Sequence, residues 1–323
     1  MLQCFIPEPQ GLVRLEPTPE VIPANSLWLD LLDPTPAEEQ AVEKLLGVEV
    51  PTREEMKEIE TSSRLYEDRG ALYMTATVVA RIDSDRPEAT AVTFILAGNT
   101  LVTNRHLDPL PFRRFASYAA RHPGSSGSAL AVLAGLLESI IERMADTLER
   151  ISLDIDELSA DIFARPATSR DGTRDLRAIL ERIGRTGELI SKSRESLVTL
   201  GRVLGFLQQS GHHGLGHENR SRLKSLSRDT LALSDHASFI SGKTTFLLEA
   251  TLGLINIEQN NIIKIFSVAA VAFLPPTLIA SIYGMNFHFM PELDWPLGYP
   301  LALLLMLASA IVPYLYFRRR GWL

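Results

Sequence analysis

The spacing of apolar residues divides this chain into segments of different period. Up to about residue 115 they cluster in short β-type runs at 26–32, 71–82, 91–96 and 100–104, with Gly98 and Asn99 as a hairpin turn. Two helical stretches interleave with them. One follows Asp33 and Pro34, where Thr35 can cap and Pro36 takes the first turn; the other starts near Thr52 (TREEMKEIE). From Leu137 the pattern turns helical: Leu137, Ile141, Met144, Leu148, Ile151, Ile155, Leu158 and Ile162 step alternately by four and three, a heptad seam. After a polar turn at 165–172, Leu176, Ile179, Leu180, Ile183, Ile190, Leu197, Leu200, Leu204 and Leu207 mark a second helix, so a long antiparallel hairpin is expected.

Beyond the polar break SGHHGLGHEN a third helix starts near Arg220 and meets no proline before Pro275. It runs into an uncharged apolar span at 265–283, whose 19 residues reach roughly 28 Å, enough for a hydrocarbon core. A second uncharged span at 297–317 returns the chain to the starting side. The expected architecture is an α+β cytoplasmic domain with a small mixed sheet (1–123) and a helical hairpin (124–219) entered through a Gly/Ser patch. A stalk helix continuing into the first span (220–283), an external loop (284–296), the second span (297–317) and a basic tail (318–323) follow.

Charge sets the orientation. Lys264 precedes the first span and Arg318, Arg319 and Arg320 follow the second, while the loop carries Glu292 and Asp294 and no Lys or Arg. The positive-inside bias places both termini in the cytoplasm. Tyr283, Trp295, Tyr299, Tyr316 and Trp322 sit near the span ends, where aromatics settle at headgroup depth. The opening MLQCFIPEPQGLV has neither a basic start nor a long apolar run, so no signal peptide is expected. A formal charge of -7 argues against nucleic acid as a partner. Cys4, the single cysteine, reads as a buried structural thiol.

Tyr283, Gly284, Met285, Asn286 and Phe287, followed by Met290, Pro291, Glu292, Leu293, Trp295, Gly298, Tyr299 and Pro300, resemble the signature of the CorA family of magnesium channels. The resemblance extends to 256–281 (NIEQNNIIKIFSVAAVAFLPPTLIAS), 314–323, 28–31 (WLDL) and 62–67 (SSRLYE). A lone Gly-Met-Asn is an ordinary turn; its place between two spans with matched flanks makes it specific. Zinc-transporting relatives replace the methionine, so Met285 points to the magnesium branch, whereas Asp294 departs from the basic residue of many relatives. The resemblance implies a bacterial-type inner-membrane protein and a funnel-shaped homopentamer. It implies Gly284, Met285 and Asn286 as selectivity filter and no cofactor, with Mg²⁺ as substrate and regulatory ligand and Co²⁺ and Ni²⁺ as further substrates.

Counting back from Asn286 at helical spacing brings Ser281, Thr277 or Leu278, Leu274, Ala270 or Val271, Ser267, Ile263 and Asn260 to one face, small polar residues alternating with bulky apolar ones. Such a face suits packing against neighbouring spans as well as a pore; the resemblance favours the pore. Ile263, Phe266 and Leu274 would then close it by dewetting. No carboxylate lies between Lys264 and Phe289, and Mg²⁺ gives up its waters reluctantly, so the expected cargo is a hydrated ion.

The acidic residues Glu138, Glu142, Asp146, Glu149, Asp154, Asp156, Glu157 and Asp161 read first as a solvated helix face. By family analogy, sensing sites lie between subunits, with Asp83, Asp85 and Glu88 opposite Asp229 and Asp235. His212, His213 and His217 read as an exposed loop rather than a transition-metal site. Ser241 to Thr244 mimics the end of a phosphate loop without the strand that should precede it. The sequence points to a potential-driven divalent-cation channel in a lipid bilayer, not an enzyme. A Zn²⁺ or other transition-metal transporter of the same fold and a non-conducting membrane-tethered scaffold are the alternatives.

Overall fold

The computed structural model describes residues 1–84, 86–123, 127–163, 175–210, 216–286, 288, 290–291 and 294–321; Asp85, Glu292, His212, His213 and the expected turn at 165–172 lie outside them. The chain forms two units, Met1–Leu248 and Glu249–Leu323.

In the first unit, β1 (Leu2–Glu8), β2 (Gly11–Leu15), β3 (Trp28–Leu32), β4 (Leu65–Asp68), β5 (Ala71–Ala80), β6 (Glu88–Ala97) and β7 (Thr100–Arg105) make one sheet in the order β2-β1-β3-β7-β6-β5-β4. It is mixed, as expected: β3 and β7 run parallel, pairing Asp30 with Thr103, and the β5–β6 hairpin is antiparallel. The pattern reading lacks β1, β2 and β4, which are short or half-exposed and carry little alternation. β5 is buried along its whole length because helices and loops cover both sheet faces.

Helix α1 (Pro36–Leu46) starts as expected: Thr35 and Glu38 form a capping box, and Gly47 at φ 67° ends it. Glu38 also accepts from the Leu2 amide at 2.8 Å, tying β1 to the helix. The expected helix near Thr52 is instead a 3₁₀ turn (Glu55–Lys57) and the four-residue α2 (Thr61–Arg64). Met56 is the buried residue of that turn, and one anchor does not make a helical stripe. Helix α3 (Leu110–Ala119), absent from the pattern reading, buries Pro111, Phe112, Phe115 and Ala119.

Helices α4 (Ala129–Phe163) and α5 (Leu176–Gln209) form the helical hairpin, with all eight heptad residues of α4 buried. One hydrophobic core crosses the expected boundary at 123: Phe5, Trp28, Leu72 and Phe94 from the sheet pack with Phe112, Leu133, Leu137, Leu204 and Leu223. Sheet and hairpin share this core and lie in the same compact unit. The opposite sheet face holds Cys4, Leu29, Tyr73 and Ile95 against Val42 and Val50. Burial pushes the Cys4 thiol up to about 11, the behaviour of a structural cysteine.

Helix α6 (His217–Tyr283) continues through Pro275 and Pro276, and α7 (Gly298–Arg319) forms the second apolar helix.

Candidate ion pathway

Helices α6 and α7 are each long and apolar enough to cross a membrane. In α6, Ile262, Ile263, Ile265, Phe266, Phe273, Leu274 and Leu278 are all more than half exposed within the chain. At about 100° per residue they spread over roughly 220° of the circumference, far more than the single stripe a helix buries on a soluble core. Exposed apolar surface that wide requires lipid or other helices around it.

Asn260, Ile263, Phe266, Ser267, Leu274, Thr277 and Ser281 share one arc of about 120° on α6. The Thr277 hydroxyl donates to the Phe273 carbonyl at 2.7 Å, and Ser281 donates to the Thr277 carbonyl at 2.8 Å. Both hydroxyl protons are spent on the helix, which leaves oxygen lone pairs as acceptors. Pro275 and Pro276 have no N–H, so the carbonyls of Val271 and Ala272 lose the donor four residues on. Val271 adjoins the same arc. The face therefore offers hydroxyl and carbonyl oxygens and no charge, which suits the outward-pointing protons of a cation's water shell.

The helix ends at the Gly-Met-Asn turn. The Gly284 amide donates to the Ala280 carbonyl at 3.0 Å and the Met285 amide to the Ile282 carbonyl at 3.3 Å, turning the chain off the axis. A Cβ on Gly284 would stand 3.2 Å from the Ala280 carbonyl oxygen, so glycine keeps this turn tight. Met285 and Asn286 are exposed just past the C-terminus of α6, the end whose partial negative charge favours a cation. Asp294 is exposed in the following loop.

The residues expected to sense metal are differently engaged. Asp83 accepts from Arg143 at 2.6 Å and Arg150 at 2.7 Å, both on α4. The Arg150 hydrogen bond is the main reason its carboxyl is held below the usual carboxylate value. Glu88 pairs with Arg81 at 2.6 Å, and Asp229 and Asp235 are exposed on α6. Among the described residues no three His, Cys, Asp or Glu side chains gather as a metal-holding group within one chain. The acidic face of α4 is exposed as expected but largely paired. Arg182 of α5 meets Asp154, Glu157 and Asp161 at 3.2–3.4 Å, Lys243 meets Asp156, and Arg222 meets Glu138.

The segment Trp28 to Leu31 supplies a network that the sequence alone left without a role. Asp30 binds Arg105 through two bonds of 3.0 and 2.7 Å, with the side chains 2% and 3% exposed. Arg105 also donates to Asp108 at 2.7 Å and lies 4.6 Å from the centre of the Phe112 ring. Thr103 donates to Asp30 at 2.6 Å and accepts from the Trp28 indole at 2.9 Å. The partners stand more than 70 residues apart in sequence, so no local motif announces them.

The family model described as CorA-like Mg²⁺ transporter protein matches residues 24–319. The magnesium transport protein CorA of Escherichia coli K12 is 37% identical over 324 residues, covering all of both chains, as is that of Salmonella typhimurium. In structure, the chain resembles the complete CorA magnesium transporter of Methanocaldococcus jannaschii. The TM-score is 0.75 at 21% identity, with 100% of this chain and 99% of that one covered. The cytoplasmic domain of ZntB from Vibrio parahaemolyticus is similar at a TM-score of 0.58 and 11% identity, with 79% of this chain and 97% of that one covered. These two likenesses speak to the fold. With the model match over most of its length and the full-length identity, the chain belongs to the CorA-like Mg²⁺ transporter family.

Proposed function

We propose that copies of this chain surround a pore lined by the arc from Asn260 to Ser281 and carry hydrated Mg²⁺ across a bilayer. The observation that carries this reading is the uncharged, acceptor-bearing face of α6 running into the exposed Gly284–Asn286 turn. The full-length relatives are named magnesium transport proteins, which supports Mg²⁺ as the ion. Two spans cannot enclose a path, and the exposed apolar circumference of α6 demands neighbours; a homopentamer meets both needs. Rings of Asn286 amide and Gly284 carbonyl oxygens then accept hydrogen bonds from the ion's waters, selecting by size without stripping the shell. Glu292 and Asp294 concentrate cations at the mouth, and Ile263, Phe266 and Leu274 form the apolar constriction.

With both termini in the cytoplasm of a bacterial-type inner membrane, an inside-negative potential drives a divalent cation inward by about 4.6 kcal/mol per 100 mV. Co²⁺ and Ni²⁺, with similar hydrated shells, share the route. Cytoplasmic Mg²⁺ closes the pore by bridging Asp83, Asp85 and Glu88 to Asp229 and Asp235 of a neighbouring copy. For Asp83 this requires release of Arg143 and Arg150, so the sensor is an exchange of guanidinium for metal.

Uptake into liposomes at a clamped potential, comparing Mg²⁺, Co²⁺, Ni²⁺ and Zn²⁺, tests this. Potential-dependent Mg²⁺ entry is expected. Zn²⁺ flux without Mg²⁺ flux would assign the transition-metal alternative, and no flux of any ion would leave a scaffold.

A further inference from the structure

A groove of about 950 Å³ in the first unit, between α3, α4 and the start of α6, has no part in the ion pathway. Its size is that of a small-molecule site. One wall is the outer face of α3 and the residues just after it, which bring Arg113, Arg114, Tyr118 and Arg121 to the same side, while Phe112 and Phe115 of α3 face the core. Arg222 of α6 joins them. The α4 wall comes close because Gly135 has no side chain: a Cβ there would stand 2.2 Å from the Phe115 ring.

The arginines are not equally committed. Arg222 is held by Glu138, and Arg113 by Asp108 at 3.2 Å. Arg114 reaches Asp146 only at 3.8 Å, with both side chains more than half exposed, a pair that water and salt weaken. Arg121 donates its Nε to the Ser117 carbonyl and has no carboxylate within 4.0 Å among the described residues. Two guanidiniums thus present donors to the groove, in the fork geometry that suits phosphate oxygens, and they outnumber Glu142 of α4, the lining carboxylate without an ion pair among the described residues. Beside them Tyr118, which lines the groove and is 48% exposed, stacks its ring on His122 at 4.0 Å, aromatic surface of the kind on which a planar base stacks.

We propose that this groove binds a nucleotide polyphosphate, with Arg114 and Arg121 on the phosphates and Tyr118 under the base. The site is independent of the ion pathway, and its test needs no flux. The full chain in detergent is titrated calorimetrically with ATP, AMP, inorganic triphosphate and short-chain phosphatidic acid. Expected are ATP binding tighter than AMP, at least tenfold weaker ATP binding in the Arg114→Ala/Arg121→Ala double variant, and a loss in Tyr118→Ala that affects ATP but not triphosphate. These residues lie on the surface, so unchanged melting temperatures should accompany the losses. Binding of phosphatidic acid alone, of no probe, or of ATP undiminished by the double substitution overturns the proposal.

Discussion

Replacing Asp30 by alanine removes the buried counter-ion of Arg105. Two charge-assisted bonds of 3.0 and 2.7 Å disappear, and the Thr103 hydroxyl loses its acceptor. Breaking a buried pair by deleting one partner costs about 3–5 kcal/mol, because the remaining charge stays buried. Here Asp108, the Leu107 carbonyl and the Phe112 ring still serve the guanidinium, which sets the expectation at the lower end, about 3 kcal/mol. At roughly 2–4 °C per kcal/mol for a unit of this size, the melting temperature should fall by about 6–12 °C. Trp28, 1% exposed and bonded to Thr103, is a built-in fluorescence reporter. The double replacement Asp30→Leu/Arg105→Met removes both charges and should recover most of the loss, since apolar substitutes for a buried pair are often neutral. A fall below about 2 °C in Asp30→Ala, or a double variant worse than the single, would refute the assignment of Asp30 as the essential partner.

Three further outcomes follow from single contacts. Gly135→Ala forces a methyl against the buried Phe115 ring and should destabilise by about 1–3 kcal/mol, read as a lower melting temperature. Asp83 titrates below its ordinary value of 3.8 in the folded chain, so its bridges contribute fully above that value and are lost as pH falls through the lower folded one. Asp83→Asn should therefore lower the melting temperature at neutral pH by the equivalent of no more than about 1 kcal/mol, given its 61% exposure, and the gap should close in acid. Pro275→Ala restores an N–H to the Val271 carbonyl, and Mg²⁺ uptake into liposomes should slow while the helix persists by circular dichroism; unchanged uptake would remove that carbonyl from the path.

Local chemistry explains which parts were legible. The Thr35 cap, the α4 heptad and the two uncharged spans are written in residues that neighbour one another along the chain, and each lies where the pattern put it. Helix α3 was legible in principle from the spacing of Pro111, Phe112, Phe115 and Ala119, but it is short and follows a β-rich stretch. The helix expected near Thr52 failed because propensity without an apolar stripe gives a helix nothing to bury. The Asp30–Arg105 pair and the Arg143 and Arg150 grip on Asp83 join residues 60 or more positions apart, which only the fold brings together. At the candidate filter, the motif named Gly284, Met285 and Asn286. The proline-freed carbonyl and the inward-bonded hydroxyls needed the helix to continue through Pro275.

The most direct measurement of the central claim is Mg²⁺ uptake at fixed inside-negative potential by purified Asn286→Ala in liposomes, beside the unsubstituted chain at matched oligomer content. Near-complete loss of uptake with assembly intact is expected if the exposed Asn286 amide holds the ion's water shell at the end of α6. Undiminished Mg²⁺ uptake by that variant would contradict it.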